Sequence, residues 1–290
     1  MYLDFFSFAE KPFDITPDTR FLYLSAQHEE AISTLLYGVR ERRGFMLLTG
    51  EVGTGKTTSI REVLNRVDGG LETALIINPL LSTEELLGEI NRDFGLAVPG
   101  ARPSVQEQIS LLNSFLLNND RRGRGAVAII DEAQDLSDDA LEMIRLLSNL
   151  ETEQHKLLQV VLFGQPELDV TLGRPEFRQL RQRIQLKYRL SPLNVAETRA
   201  YILHRLKKAS PRCCLVFQPA ALQKIHQYAG GIPRLINTLC DLVLLAAFTR
   251  ETHIVTKKVV ELARRDLSDK SWEVPRRPVW FGRRRDVAAS

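Results

Sequence analysis

The sequence is poor in cysteine and has no long apolar run, and both absences limit what the protein can be. Only three of the 290 residues are cysteines, Cys213, Cys214 and Cys240, and their spacing suits neither a disulfide framework nor a C-x-x-C pair. No apolar stretch approaches the roughly 18 residues that a membrane-spanning helix needs. The amino terminus lacks both a basic segment and a small-residue cleavage site, so no secretory signal is predicted. These absences predict a cytoplasmic protein.

A strong excess of one charge is also missing from most of the chain. The net charge is +3, from 39 Lys and Arg against 36 Asp and Glu. Residues 270–290 hold six of the basic and two of the acidic side chains, which leaves 33 basic and 34 acidic side chains elsewhere. A protein that coats nucleic acid over its whole surface carries a much larger basic excess. The 44% of hydrophobic residues is ordinary for a soluble globular protein of one large or two modest domains.

A phosphate-binding pattern is the strongest motif that is present. Residues 50–58, G-E-V-G-T-G-K-T-T, match G-x-x-x-x-G-K-[ST], with an apolar strand predicted at residues 45–48 and a helix at residues 59–67. Glycines let the backbone turn its N–H groups toward phosphates, and the helix N-terminus favours an anion. Lys56 would reach the β- and γ-phosphates of a nucleotide, and the Thr57 hydroxyl would ligate Mg²⁺. The alternative is a glycine-rich turn that matches by chance. The predicted nucleotide-binding residues are Gly50, Glu51, Val52, Gly53, Thr54, Gly55, Lys56, Thr57 and Thr58.

An acidic pair follows about 75 residues later in the chain. Residues 126–130 are uninterruptedly apolar, which suits a central parallel strand buried on both faces, and Asp131 and Glu132 come directly after them. Open α/β sheets bind ligands where such strands end. Asp131 would hold Mg²⁺ through water, and Glu132 would be the general base for an attacking water. Such a pair is common by chance, but together with the phosphate pattern it predicts hydrolysis.

Two further stretches supply polar candidates for the same site. A strand predicted at residues 157–163 is followed by Gly164 and Gln165, and the Gln165 amide is our candidate for sensing the γ-phosphate and aligning water. The arginine-rich residues 174–183 then precede a strand at residues 184–190. These arginines are candidates to reach the nucleotide of a neighbouring subunit. A solvated basic helix face is the alternative interpretation.

The strand pattern stops at Pro192, and this change sets the predicted domain boundaries. Arg234, near the start of the third helix that follows, is placed to point back at the phosphates. The helices predicted after Pro192 cover residues 196–208, 219–229, 232–249 and 256–267 and form a small all-helical domain. The predicted parts are a lead-in over residues 1–43 that packs on the nucleotide site, an α/β core over residues 44–191, a helical lid over residues 192–267 and a flexible tail over residues 268–290.

Three other features each have more than one interpretation. In the lead-in, Phe13, Phe21 and Tyr23 are either adenine contacts or core aromatics. The loop at residues 121–125, R-R-G-R-G, is either a solvated turn or a contact for an acidic partner or a phosphate backbone. The tail mixes arginine with tryptophan and phenylalanine, which suits a membrane surface, a nucleic acid or a docking partner.

Taken in order along the chain, the motifs resemble an AAA+ ATPase, and more closely the secretion ATPases of the ExeA/GspA (general secretion pathway protein A) family. The resemblance covers about residues 1–267. The strings that carry it are P-F and T-P-D within residues 12–18, the phosphate pattern at 50–58, D-E-A-Q at 131–134, R-L-L-S-N-L-E-T at 145–152, G-Q-P-E-L at 164–168 and G-I-P-R-L-I-N at 231–237. The family implies an α/β P-loop NTPase fold of the AAA+ type, with a parallel five-stranded sheet of order 5-1-4-3-2 followed by an all-helical lid.

The resemblance also implies roles for residues of the site. Thr57 and Asp131 would serve Mg²⁺, the carboxylate through water, and Glu132 would be the catalytic base. Gln165 would be the first sensor of the γ-phosphate, and Arg234 would be the second sensor. The implied ligands are therefore ATP and Mg²⁺.

An arginine finger is implied as well. Arg183, directly before the last strand, resembles the finger that completes a neighbouring subunit's site, with Arg181 and Arg178 behind it. Because a finger of this kind acts on another subunit, the resemblance implies a homo-oligomer, either a ring or a filament.

Long members of the family continue into a membrane span and a peptidoglycan-binding domain, whereas this sequence ends at Ser290 with its basic-aromatic tail. It is more similar to short relatives associated with MSHA-type pilus biogenesis or with exosortase and exopolysaccharide gene sets. The resemblance predicts an ATP-hydrolysing switch or assembly factor for a bacterial envelope machine, cytoplasmic or peripheral at the inner membrane, with an inner-membrane partner. Related ATPases with the same D-E-A-Q string regulate transposition, so a DNA-binding regulator is the competing hypothesis. A non-hydrolysing nucleotide scaffold is disfavoured by Glu132, Gln165, Arg183 and Arg234.

Overall fold

A computed structural model describes residues 2–14, 19–67, 70–96, 103–210 and 214–268 of the chain. Three features of the sequence lie outside this part: the turn at residues 16–18, Cys213 and the basic-aromatic tail beyond residue 268. The described residues form a parallel sheet with helices on both faces and a group of helices beside it.

The central sheet has five parallel strands. They are β1 (Phe45–Gly50), β2 (Leu71–Ile76), β3 (Gly125–Ile130), β4 (Gln159–Gly164) and β5 (Ile184–Leu190). Their order is β2-β3-β4-β1-β5, which is the predicted order taken from the other edge. The inner strands β1, β3 and β4 are buried along nearly their whole length because helices cover both faces, and this is why they appear as continuous apolar runs. The predicted α/β fold is confirmed.

Several of the helices begin at residues whose side chains cap the first turn. The helices are α1 (Tyr2–Phe6), α2 (Ala26–Arg40), α3 (Lys56–Arg66), α4 (Thr83–Asp93), α5 (Val105–Arg121), α6 (Asp138–Leu147), α7 (Pro166–Gly173), α8 (Arg178–Arg183), α9 (Val195–Ala209), α10 (Pro219–Ala229), α11 (Pro233–Phe248) and α12 (Lys257–Ser268). Ser82, Ser104 and Asn194 each start a helix with a capping box, in which the cap and a glutamate three residues later satisfy each other's N–H groups. Within the described residues, every helix falls short of the length and hydropathy that crossing a bilayer requires.

Two hydrophobic cores enclose the sheet, and the alternation along each strand assigns residues to them. In β3, Ala126, Ala128 and Ile130 face the layer of α4, α5 and α6, whereas Val127 and Ile129 face the layer of α2 and α3. Full burial of a valine or isoleucine side chain contributes about 2 kcal/mol. Packing on both faces therefore fixes the carboxyl ends of the strands, where the polar residues of the site lie.

A third core lies between α9, α10, α11 and α12, and the lead-in contributes to it. Four lead-in aromatics, Phe6, Phe8, Phe13 and Phe21, are buried there among the apolar faces of these helices. The first part of the lead-in thus packs on the lid, while α2, which ends it, packs on α3 and β5. The predicted domain boundaries stay a prediction.

A buried arginine fastens the lead-in to the lid. Arg205 of α9 is 8% exposed and donates to the Pro12 carbonyl (2.5 Å), the Asp14 carbonyl (3.2 Å) and the Tyr201 hydroxyl (3.1 Å). Its guanidinium also lies 5.1 Å from the centre of the Phe21 ring. The bond to Pro12 joins residues 193 positions apart, so this contact exists only in the folded chain.

The lid needs one addition to its predicted all-helical form. Two-residue strands, β6 (Val216–Phe217) and β7 (Ile254–Val255), pair in parallel beside the helices. A strand of two residues has no alternation that a sequence pattern can reveal, and so the analysis of the sequence missed this pair.

Candidate nucleotide site

A cleft of about 430 Å³ lies between the sheet and the lid. One wall contains residues 52–58, part of α3 and Glu132, and the other contains lead-in residues 21–23 with parts of α9 and α11. The cleft adjoins the carboxyl ends of β1 and β3, the position where open α/β sheets bind ligands. Its size and its mixed polar and aromatic lining suit a small organic ligand with anionic groups.

The phosphate loop, residues 50–58, requires glycine at two positions. Gly53 and Gly55 have left-handed backbone conformations, with φ of 79° and 104°. A Cβ at position 53 would lie 2.6 Å from Cβ of Arg234, and a Cβ at position 55 would lie 2.7 Å from Nε2 of His28. Helix α3 begins directly after the second glycine, so the unpaired N–H groups of its first turn lie at the cleft. The loop is therefore shaped to bind an anion.

Lys56 is held inside the loop by the loop's own carbonyl groups. Its Nζ donates to the carbonyls of Gly50 (2.9 Å) and Glu51 (3.3 Å), and the residue is 6% exposed. Burial lowers the pKa of the ammonium group, and the nearby carboxylates of Glu132 and Asp131 oppose that shift. A cation that is already desolvated and oriented can exchange these carbonyls for phosphate oxygens with little reorganisation.

His28 of α2 supports the phosphate loop, a role that the sequence analysis did not find. Its Nε2 donates to the Thr54 carbonyl (2.9 Å), and its Nδ1 accepts from the Ser25 hydroxyl (2.8 Å). A carbonyl can only accept, which assigns the ring proton to Nε2. Burial lowers the pKa of His28 and favours the neutral ring. A single histidine in a helix gives no sequence signal for such a contact.

The two predicted magnesium ligands lie in contact. Thr57 Oγ1 donates to Asp131 Oδ2 at 2.9 Å across 74 positions of sequence. Asp131 is 3% exposed, and its Oδ1 accepts from the Glu132 N–H at 2.9 Å. Burial raises the pKa of the Asp131 carboxyl group, and these two hydrogen bonds oppose the shift. Hydroxyl and carboxylate oxygens are the hard donors that Mg²⁺ prefers, so the residues present fit this ion.

Glu132 and Gln165 also meet, at the ends of β3 and β4. Glu132 has a left-handed backbone, with φ of 49°, a conformation that costs a non-glycine residue on the order of 1 kcal/mol. Its Oε2 accepts from Nε2 of Gln165 (3.3 Å) and from Nε2 of Gln134 (2.8 Å), and its side chain lines the cleft. The predicted base and the predicted sensor are therefore one hydrogen bond apart. Gln134 is an additional residue to which the sequence analysis gave no role.

The lid reaches the phosphate loop through the start of α11. The Arg234 N–H donates to the Gly53 carbonyl at 3.3 Å, and Arg234 lines the cleft. The same wall contains Tyr201, Arg205 and Asn237. Phe21 and Tyr23 of the lead-in line the cleft as well, whereas Phe13 is 1% exposed and lies in the lid core, where the alternative interpretation placed it.

The predicted finger arginines lie away from this cleft. Arg183 Nη1 donates to Asn149 Oδ1 (2.7 Å) and to Ser148 Oγ, and Arg181 Nη1 donates to the Gly173 carbonyl (3.1 Å). Neither arginine belongs to the lining of its own chain's cleft. A role of either residue at a nucleotide requires a second copy of the chain, and it stays a prediction.

Two sequence comparisons identify relatives of the chain. A family model described as an AAA domain matches residues 39–172. General secretion pathway protein A of Aeromonas hydrophila is 44% identical over 270 residues, which cover 92% of this chain and 49% of that protein. The chain thus spans about half the length of this curated relative.

Solved structures share the fold at low sequence identity. Cdc6p from Pyrobaculum aerophilum has a TM-score of 0.64 and 20% identity, covering 87% of this chain and 71% of that one. The Aeropyrum pernix ORC2 protein has a TM-score of 0.66 and 16% identity, covering 92% and 74%. The Thermotoga maritima RuvB branch migration motor has a TM-score of 0.53 and 17% identity, covering 86% and 74%. The chain therefore contains a segment that matches an AAA domain, and it is similar to General secretion pathway protein A over 92% of its own length.

Proposed function

We propose that the chain binds and hydrolyses Mg²⁺–ATP and acts as an oligomeric switch or assembly factor for a bacterial envelope machine. The machine is a type II secretion, MSHA-type pilus or exopolysaccharide–exosortase system. The observation that carries the proposal is the 44% identity to General secretion pathway protein A over 92% of the chain. Because the chain spans about half of that relative, the machine and its inner-membrane partner belong to the proposal.

Nucleotide binding follows from the phosphate loop. Its N–H groups and the first turn of α3 offer donors to the β- and γ-phosphates. Lys56 exchanges its carbonyl acceptors at Gly50 and Glu51 for phosphate oxygens, which gives the stronger, charge-assisted kind of hydrogen bond. Phe21 and Tyr23 line the cleft, where they would enclose the base between the lead-in and the lid.

Hydrolysis follows from Glu132. Thr57 and Asp131 would hold Mg²⁺, which supplies positive charge to the phosphate groups when bound. Glu132 accepts a proton from the attacking water at its carboxylate. Gln165, whose Nε2 lies 3.3 Å from that carboxylate, directs an N–H group toward the same water. Because Thr57 and Glu132 line the cleft and are held by hydrogen bonds to Asp131 and Gln165, these groups stabilise the transition state with little rearrangement.

The oligomeric part of the proposal depends on Arg183. This residue ends α8 directly before β5 and lies outside its own cleft. A neighbouring copy would bring it to the γ-phosphate, while Arg234 acts from the chain's own lid. The site is then complete only in a ring or a filament and only with the lid in place, which is the property that a switch needs.

Phosphate release from ATP and binding of a fluorescent ATP analogue test the activity. We expect Lys56→Ala to lose nucleotide affinity by about 100-fold, because charge-assisted bonds to the phosphates disappear. Glu132→Gln is expected to bind ATP normally and to hydrolyse it about 10³-fold more slowly. Glu153→Gln, at an exposed glutamate, is the matched control. Equal turnover by the wild type and Glu132→Gln would refute the site.

The envelope role is tested in the host cell. Deletion of the gene is expected to abolish protein secretion, pilus assembly or exopolysaccharide export, and the wild-type gene but not the Glu132→Gln gene should restore it. Normal export by the deletion strain would reject the envelope role and leave the ATPase activity untouched.

A DNA-binding regulator of transposition is the second candidate. It is favoured by three exposed arginines, Arg121 at the end of α5 and Arg122 and Arg124 in the loop that follows. The measurement is ATP-dependent filament formation on duplex DNA over a range of salt concentrations. Binding that weakens steeply with salt would favour this candidate, and no binding at low salt would reject it.

A further inference from the structure

The side chain of Gln134 is fixed at both ends beside the base of the proposed reaction. Its Oε1 accepts from the backbone N–H of Gln165 at 2.9 Å. Its Nε2 donates to Glu132 Oε2 at 2.8 Å and to Asp135 Oδ2 at 3.2 Å. Since an N–H group only donates and a carboxylate only accepts, these partners determine which end of the amide is oxygen and which is nitrogen.

This orientation follows from the local backbone. Residues Ala133–Asp135 form a single 3₁₀ turn directly after the left-handed Glu132. The turn directs Gln134 back across the end of β4, where the N–H of Gln165 is available because Gln165 is the N-cap of α7 and has no acceptor within that helix. Gln134 thus bridges the ends of β3 and β4, the two strands that supply Glu132 and Gln165.

The bridge also gives the two carboxylate oxygens of Glu132 different surroundings. Oε2 accepts from both Gln134 and Gln165. Among the described residues, Oε1 has no hydrogen-bond partner, and Glu132 is one of the residues that line the cleft. A general base needs one oxygen within hydrogen-bond reach of the water and a fixed orientation. The arrangement supplies both.

We infer that Gln134 is a positioning residue for hydrolysis: it holds Glu132 Oε2, so that Oε1 faces the attacking water, and it joins the base to the end of β4 that carries Gln165. The inference rests on the proposed ATPase function and adds a residue to it. Gln134 is not part of the cleft lining. Its loss should therefore reduce the rate of the chemical step and leave ATP binding unchanged.

The test is steady-state hydrolysis and ATP binding by Gln134→Met, which keeps the length of the side chain and removes its hydrogen bonds. We expect kcat to fall about 10- to 100-fold, the range for losing a group that orients a catalytic ligand. KM and the Kd for ATP should stay within about twofold, because ground-state binding is untouched. Gln154→Met, at an exposed glutamine, is the matched control and should behave as the wild type.

Two further variants exclude a merely structural explanation. Gln134→Glu keeps an acceptor for the Gln165 N–H and replaces the donor to Glu132 by a like charge, so kcat should fall at least as far with folding retained. In the Glu132→Gln background, Gln134→Met should change the residual rate by less than about twofold, because both substitutions act through the same carboxylate. If Gln134→Met does not fold, Gln134→Glu decides the question.

The outcomes separate the inference from the function. Wild-type kcat in both Gln134 variants, or a full additional loss in the Glu132→Gln background, would overturn the role of Gln134 while the ATPase stands. A rise in KM with unchanged kcat would overturn it too, because it would mean that Gln134 binds substrate. If Glu132→Gln hydrolyses ATP at the wild-type rate, the proposed base itself is wrong.

Discussion

The two walls of the cleft are built in different ways. The sheet wall contains Thr57 and Glu132, and these are hydrogen-bonded to Asp131 and Gln165 beside the cleft at 2.9 to 3.3 Å. All four residues follow apolar strands or begin the helix after one. The lid wall reaches the phosphate loop through the N–H of Arg234, which donates to the Gly53 carbonyl.

This difference suits the sheet wall to hold fixed groups and the lid wall to move. On the sheet wall, cores on both faces of the sheet hold the strand ends, so the candidate catalytic groups keep their geometry. The lid wall has its own core, to which the lead-in contributes, and it meets the loop over a small contact. Few contacts between two well-packed bodies allow one body to move against the other, which makes the lid wall the part suited to respond to the nucleotide.

The largest expected effect tests whether a second copy of the chain contributes a residue to the nucleotide site. Arg183→Ala should lower kcat about 10³-fold, because an arginine that neutralises the transferred phosphoryl group is lost, while ATP binding should change little. Hydrolysis and binding are measured on the same preparation. Arg92→Ala, at an arginine whose side chain is 74% exposed, is the control. Full activity of Arg183→Ala would show that Arg183 of a second copy does not take part in hydrolysis.

A smaller effect is expected for the buried link between lead-in and lid. Arg205→Met should lower the free energy of unfolding by about 3 kcal/mol, because the carbonyls of Pro12 and Asp14 lose a charged donor. Denaturant unfolding measures the change. Arg199→Met, at an exposed arginine of the same helix, should be neutral. Equal stability of both variants would show that the lead-in is held by its aromatic side chains alone.

The effect of the contact between the phosphate loop and the lid can be tested by comparing alanine substitutions at two glycines. Gly53→Ala should weaken ATP binding about 10-fold, or about 1.4 kcal/mol, because the added Cβ would lie 2.6 Å from Cβ of Arg234 and displace the lid. Gly123→Ala introduces the same kind of backbone strain, with φ of 71°, at a position with open space around it. If both variants bind ATP like the wild type, the close contact between Gly53 and Arg234 does not affect ATP binding.

The smallest effect concerns the histidine under the loop. Because burial holds the pKa of His28 below its value in the unfolded chain, its neutral form stabilises the fold above pH 6.5, and this contribution is lost as the pH falls through 6.5 toward the lower folded pKa. Each unit of difference corresponds to about 1.4 kcal/mol. Between pH 7.5 and 5.5 the wild type should therefore lose more stability than His28→Gln. Parallel unfolding curves for the two proteins would contradict this.

The sheet wall could be predicted from the sequence because its residues follow recognisable strands. Asp131 and Glu132 come after an apolar run, and Gln165 follows β4 within one residue. Parallel strands end at one edge of a sheet, so their terminal residues meet there whatever the rest of the chain does.

The remaining contacts could not be predicted, because each depends on tertiary packing. His28 meets Thr54 only when α2 lies on the sheet, and Arg205 meets Pro12 only when the lid has formed. Gln134 stood in a motif that was noticed, but its bridge depends on a 3₁₀ turn that periodicity does not reveal. Local patterns thus gave the candidate catalytic groups, and the supporting contacts needed the fold.

The mixed origin of the lid core has a consequence for biosynthesis. Phe6, Phe8, Phe13 and Phe21 leave the ribosome about 200 residues before α10, α11 and α12, the helices that bury them. At translation rates of about 5–20 residues per second, about 10–40 s pass before the helices that bury these rings are synthesised. The sheet can close while they wait, because its last strand ends at Leu190. The nascent chain therefore presents an aromatic segment to chaperones until its final helices emerge.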